Sequence, residues 1–232
     1  MAARISEVFF SIQGEGLYLG CPQVFVRFAG CNLACRYCDL VGRKLPVRRL
    51  GSAGLTRSVL RLVRAAPALH SISITGGEPL LQAEFLAGWL PGLKERGLKI
   101  YLETNGTLTG ALERLGPWLD FVAMDVKLPS TGGGPPLWKA HREFWLACRR
   151  LPAESFVKVV VNRWTTAAET ARAARLVAAA GPAGMLVIQP EVDGRGRPAI
   201  GCERLQELFR TAAAVHPGCR LIPPVHQRLG LP

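Results

Sequence analysis

Short β-branched and aromatic runs alternate with amphipathic helical stretches along nearly the whole chain, and this alternation is the strongest constraint on its fold. "VFVRFAG" at 24–30, "SISIT" at 71–75, "KIYLETNG" at 99–106, "FVAMDVKL" at 121–128, "FVKVVVN" at 156–162 and "MLVIQP" at 185–190 read as strands. Helical periodicity lies between them: "LTRSVLRLVRAA", "LLQAEFLAGWLPGLKERG", "PPLWKAHREFWLACRRL", the Thr-capped "TTAAETARAARLVAAAG", and finally "CERLQELFRTAAAVHPG". Apolar strands separated by helices imply a parallel sheet buried on both faces. About six such units predict an α/β fold, a partial, open parallel β/α barrel, over one domain spanning 1–232. The Gly- and Pro-rich "PSTGGGPP" at 129–136 reads as a loop, because the alternation continues beyond it.

Composition narrows the class. The chain has 232 residues, 49% of them hydrophobic, which is enough for a sizeable core. No apolar run approaches the roughly 20 residues of a membrane helix, and the start has no signal-peptide pattern, so a cytoplasmic protein without membrane contact is expected. The net charge is +12. Its arginines are scattered and no stacking-aromatic pattern accompanies them, so no direct nucleic-acid partner is expected. One local basic cluster stands out, Arg43, Lys44, Arg48 and Arg49, close after three clustered cysteines. An odd count of seven cysteines argues against a disulfide framework. Cys21, Cys148, Cys202 and Cys219 read as small buried hydrophobes.

In parallel α/β folds, chemistry collects at the C-terminal ends of the strands. The polar, Gly-punctuated segments of this chain all fall there. The first strand runs into "GCNLACRYCDL", with Cys31, Cys35 and Cys38 in C-x3-C-x2-C spacing. A structural zinc site needs four ligands, and neither His70 nor His141 has the spacing to complete one. Three thiolates on one loop suit an iron–sulfur cube whose fourth iron stays open to another ligand. The second strand ends in Thr75, Gly76, Gly77 and Glu78. Two glycines allow close backbone approach, and the Glu78 carboxylate could accept from an amino group.

Taken together, C-x3-C-x-Tyr37-Cys, GGEP one strand later and "LETNG" resemble the radical S-adenosylmethionine superfamily. The segment "EVFFSIQGEGLYLGCPQVFVRFAGCNLACRYCD", with "TGGEPLLQ", "VKVVV" and the tail "RLIPPVHQRLGLP", is similar to the 7-carboxy-7-deazaguanine synthases. That resemblance runs over essentially the whole chain. It implies a [4Fe–4S] cluster, S-adenosylmethionine and Mg2+. The implied reaction is ring contraction of 6-carboxy-5,6,7,8-tetrahydropterin with loss of ammonia, in deazapurine and queuosine biosynthesis. On the cofactor side it implies Tyr37, Gly76, Gly77, Glu78, Glu103, Asn105, Lys127 and Gln189.

A pterin substrate adds its own requirements. Gln13 and Glu15 could accept from the pterin N–H edge, Arg27 could fork onto its carboxylate, and Thr75 would lie near the reacting centre. His226 could close the pocket, and the terminal carboxylate of Pro232 could accept from the pterin's N–H edge. Asp125 is not expected to make a contact. One departure concerns magnesium: Asp39 is followed by Leu40 where the family has threonine, and leucine cannot ligate a cation. Either Asp39 holds the ion with substrate oxygens and water, or the dependence is weak. The basic cluster would steer an acidic electron donor, a flavodoxin or ferredoxin. A homodimer is expected. A glycyl-radical activating enzyme and a zinc-binding RNA-binding protein are the alternatives.

Replacing any one of Cys31, Cys35 and Cys38 by alanine should abolish both the brown colour and turnover after anaerobic purification. Iron and sulfide analysis of each variant checks this.

Overall fold

The structure, a computed structural model, describes residues 1–38, 45–66, 68–132 and 134–231. Among these residues, nine strands form one sheet: β1 (Ala2–Ile12), β2 (Pro22–Phe28), β3 (Arg48–Gly51), β4 (Ser71–Gly76), β5 (Ile100–Thr104), β6 (Phe121–Val126), β7 (Glu154–Val161), β8 (Leu186–Pro190) and β9 (Cys219–Leu221). Their order is β3-β1-β2-β4-β5-β6-β7-β8-β9. From β2 to β9 every neighbouring pair is parallel, and the sheet is open, with β3 and β9 at its edges. The six expected strands are β2 and β4 to β8, and "CRL" supplies β9.

Two strands were not expected, and both extend the N-terminal edge. β1 runs antiparallel to β2, and β3 antiparallel to β1. Neither is a β/α unit. The loop between β1 and β2 reverses the chain at Gly20, whose φ of +88° suits glycine. Gln13 N–H donates to the Cys21 carbonyl at 2.7 Å and Gly20 N–H to the Gln13 carbonyl at 2.8 Å.

The helices are α1 (Ser52–Ala65), α2 (Ala83–Lys94), α3 (Thr109–Leu115), α4 (Pro129–Gly132), α5 (Trp138–Cys148), α6 (Ala167–Ala178), α7 (Cys202–Val215) and α8 (His226–Leu229). α6 starts in a capping box: Glu169 N–H donates to Thr166 Oγ1, and the Glu169 carboxylate accepts from Thr166 N–H. The large core lies between sheet and helices, with Phe28, Ile74, Leu86, Leu102, Phe144 and Trp145 buried. A smaller aromatic cluster comprises Tyr101, Phe121 and Phe156, with Tyr18 packed edge-on against Tyr101 and Phe121. Tyr18 belongs to a 3-10 turn, Gly16–Tyr18, so the segment after "SIQ" is held against the sheet by aromatic burial. Cys148 and Cys219 are buried as expected, but Cys202 is exposed, because it occupies the first turn of α7.

The ends of β2 and β4 approach so closely that only glycine fits. A Cβ on Gly76, whose φ is +131°, would lie 2.1 Å from the Phe28 carbonyl oxygen. One on Gly77 would lie 2.2 Å from that of Gly30.

Gly76→Ala should therefore cost more than about 3 kcal/mol, from overpacking and backbone strain together. Gly88→Ala, mid-helix in open space, should stabilise by roughly 0.5–1 kcal/mol. Denaturant unfolding of the two variants checks both signs.

Candidate active site

A cavity of about 780 Å3 opens at the C-terminal ends of the parallel strands. The loop after β2 brings Cys31, Cys35, Tyr37 and Cys38 to its wall, and the β4 turn brings Thr75, Gly76 and Gly77. Gln13, Glu15, Arg27, Glu103, Asn105, Lys127, Gln189 and His226 also line it. Asp39, Leu40, Arg43, Lys44 and Pro232 lie outside the described residues. Arg48 and Arg49 are exposed on the edge strand β3.

Among the described residues, no three His, Cys, Asp or Glu side chains stand together as a ready-made metal site. The three cysteines nonetheless share one loop and one cavity wall. Soft thiolates are the donor set that suits iron–sulfur ligation, so the residues fit a cluster once the loop gathers their sulfurs. Neighbouring groups already face the first of them. Leu33 N–H donates to Cys31 Sγ at 3.4 Å, and Asn105 Nδ2 does so at 3.9 Å. Asn105 is locked in place by Asn32 and Thr107. Its Nδ2 donates to Asn32 Oδ1 at 2.8 Å, and its Oδ1 accepts from Thr107 Oγ1 at 2.6 Å. Burial pushes the Cys35 thiol up, with Lys127 opposing it.

Glu78 differs from expectation. It is fully buried and does not reach the cavity. Its carboxylate accepts from Leu80 N–H at 3.0 Å, Thr104 Oγ1 at 2.9 Å and Asn105 N–H at 2.7 Å. Buried away from the cavity, it is out of reach of a ligand amino group. Glu78 instead ties the β4 turn to the end of β5, and the cavity wall there is the backbone of Gly76 and Gly77. Burial raises Glu78, against the backbone and hydroxyl donors that lower it.

Glu103 joins Gln13 and Thr75. One of its oxygens accepts from Gln13 Nε2 at 2.7 Å and Ser73 Oγ at 3.3 Å, and the other from Thr75 Oγ1 at 2.7 Å. Gln13 Nε2 also donates to Gln23 Oε1 at 3.1 Å, and Gln13 Oε1 accepts from Glu15 N–H at 3.1 Å, so its amide orientation is fully specified. Arg27 Nε is paired with Glu7 at 2.8 Å, and its guanidinium lies 5.6 Å from the centre of the Phe9 ring. It alternates with the buried Val26 and Phe28, as its strand position requires.

A second group is built of charges. Lys127 Nζ lies 2.8 Å from Asp125 Oδ2 and donates to Tyr37 Oη at 2.9 Å. Lys158 Nζ pairs with Glu15 Oε2 and lies 3.3 Å from Asp125 Oδ2. His226 Nδ1 is 3.9 Å from Glu15 Oε1. Asp125, from which no contact is expected by sequence, is thus an integral wall residue. Lys158 was not singled out at all. The available signal was a charge inside each apolar strand, "FVAMDV" and "FVKVVV". Buried charges persist only when paired. Among the described residues, three cavity-lining side chains carry a buried acceptor without a partner: Asp125 Oδ1, Gln189 Oε1 and Gln227 Oε1.

These features define the class. The family model described as Radical SAM superfamily matches residues 25–193. The 7-carboxy-7-deazaguanine synthase of Geobacter sulfurreducens is 38% identical over 98% of this chain and 97% of its own length. That of Methanopyrus kandleri is 31% identical over 97% and 92%. The crystal structure of QueE from Escherichia coli superposes with a TM-score of 0.64 at 21% identity, over 96% of this chain and 94% of that one. The chain belongs to the radical SAM superfamily and, within it, to the 7-carboxy-7-deazaguanine synthase family. Membership implies a [4Fe–4S] cluster and S-adenosylmethionine.

Behind Asn105 lies His141, fully buried, its Nε2 3.1 Å from the Asn105 carbonyl and its Nδ1 without a partner among the described residues. Burial lowers its pKa to about 4. The folded value lies below the unfolded one, so the stability this group contributes is complete above pH 6.5 and is lost as pH falls from there toward 4. The loss should total on the order of 3 kcal/mol. His141→Gln should flatten the fall in unfolding free energy between pH 7 and 5, measured by denaturant titration.

Proposed function

We propose that this chain converts 6-carboxy-5,6,7,8-tetrahydropterin to 7-carboxy-7-deazaguanine with loss of ammonia, acting as one radical SAM domain over 1–232. The observation that carries this reading is the joining, in one cavity, of a three-cysteine loop and an acceptor-rich wall. The named relatives support it. They do not favour a glycyl-radical activating enzyme or a zinc-dependent RNA-binding protein.

Cys31, Cys35 and Cys38 would hold the cluster. The backbone of Gly76 and Gly77, with Tyr37, Asn105, Lys127 and Gln189, would hold S-adenosylmethionine, and the unpartnered Gln189 Oε1 offers an acceptor there. When bound, the cluster and S-adenosylmethionine would together supply radical hydrogen abstraction from the substrate. Gln13, Glu15, Thr75 and Glu103 face the pterin. Glu103 joins this group because its carboxylate bonds to Gln13 and Thr75, and a carboxylate suits an N–H edge. Arg27 would meet the substrate carboxylate, with Glu7 fixing its fork. His226 would close the cavity, and the terminal carboxylate of Pro232 would accept from the pterin's N–H edge.

The finer expectations travel with this reading. Asp39 would hold Mg2+ with substrate oxygens and water, without help from Leu40. A flavodoxin or ferredoxin would deliver the electron, drawn by the basic residues following the cysteines, of which Arg48 and Arg49 are exposed. The active form would be a homodimer in the cytoplasm. Among the described residues, no helix is long and apolar enough to cross a membrane.

Anaerobic incubation of the reduced, cluster-loaded protein with the pterin and S-adenosylmethionine should yield the deazaguanine; its absence, with the cluster intact, would overturn the reading. Arg27→Ala should raise the KM for the pterin by about 10-fold or more, from loss of a charge-assisted pair, and leave the affinity for S-adenosylmethionine unchanged. Steady-state kinetics and a cofactor-binding titration separate the two.

A further inference from the structure

Four charged side chains of the cavity form one alternating chain: Glu15, Lys158, Asp125, Lys127, ending on the Tyr37 hydroxyl. It links the loop after β1 to the cysteine loop after β2 across β6 and β7, whose residues Asp125 and Lys158 stand directly opposite in register. Lys158 is its centre, the only member whose Nζ meets two carboxylates. It takes one oxygen of Glu15, Oε2. The other, Oε1, is 3.9 Å from His226 Nδ1, too far for a strong bond. One Glu15 oxygen is therefore anchored and one is left for a ligand.

The geometry points to Lys158 as a positioning residue for the pterin: it holds Glu15 as a carboxylate with Oε1 turned to the substrate N–H edge. This rests on the reading that Glu15 meets the pterin. The groups facing Glu15 are Lys158 from β7, Asp125 from β6 and His226 from α8. Burial alone would raise the Glu15 pKa and the Asp125 charge adds to that, but Lys158, aided by His226, holds it below its ordinary value. With Lys158 removed, burial dominates and the folded pKa rises. Glu15 then protonates as pH falls through the new value and ceases to be a full acceptor.

The test is the Kd of 6-carboxytetrahydropterin for the cluster-loaded protein with S-adenosylmethionine, from pH 5.5 to 8. All variants carry His226→Gln, so the imidazole contributes nothing. With Lys158 intact, affinity should show no acid limb from Glu15. Lys158→Met should weaken binding by about 10-fold or more at the acid end and recover as pH rises. Lys158→Arg should restore the flat profile, and adding Glu15→Gln to Lys158→Met should abolish the pH dependence. Lys158→Gln repeats the test with a neutral donor in place should the methionine variant lose its cluster. A flat profile in both neutral variants, or a uniform loss that arginine does not rescue, would overturn the proposal while leaving Glu15 as a contact. An unchanged Kd in Glu15→Gln alone would overturn the proposal together with the reading beneath it.

Discussion

The close approach of β4 to the end of β2 is the contact on which the site depends. Gly77 N–H donates to the Phe28 carbonyl at 3.1 Å and Glu78 N–H to the Gly30 carbonyl at 2.9 Å. Those bonds carry the pairing past the last regular register position, Phe28 with Gly76. A side chain at either glycine would push the strands apart. Because they stay together, the chain leaves β2 as the cysteine loop directly beside a bare stretch of backbone. Glu78 then points inward and fixes the end of β5, which sets Asn105 against Cys31. A single backbone contact thus places the cysteines, the glycine backbone and Asn105 on one wall.

Across the cavity the organising force is electrostatic. Desolvating a lone carboxylate or ammonium is expensive, and a pair is tolerated only with good geometry and further hydrogen bonds. Glu15, Asp125, Lys127 and Lys158 meet that condition by alternating in sign, so the set is neutral in a chain of net charge +12. The wall around Glu103 follows another rule. Its direct donors are an amide and two hydroxyls, so its negative charge is stabilised without being neutralised. One cavity therefore offers a charge-balanced region beside the cysteine loop and a net acceptor region beside Gln13, a division that suits two chemically different ligands.

Much of this was legible in the chain because it is local. The strand and helix alternation, the cap at Thr166, the cysteine spacing and the paired glycines each follow from residues a few positions apart. So do the cavity positions of Arg27, Thr75 and Gln13, since strand alternation or a flanking glycine decides them. Glu78 was misread because a carboxylate after two glycines looks exposed on a turn, and only the folded β5 shows where its acceptors are spent. Asp125 and Lys158 were passed over because each is one charge in an apolar strand, and their partner strand cannot be read from spacing. β1 and β3 were missed because an antiparallel edge carries no β/α signature.

By itself, then, the sequence determined the parallel α/β architecture, the three-thiolate loop and the family to which the chain belongs, since these reside in local pattern and motif. The tertiary structure alone decided which groups meet. Lys158 and Glu15 are paired across a long sequence separation, as are Gln13 and Glu103 and Glu78 and Asn105. Contacts of that kind arise when sheet order and register bring distant strands together, and neither is encoded by the spacing of residues within a single strand.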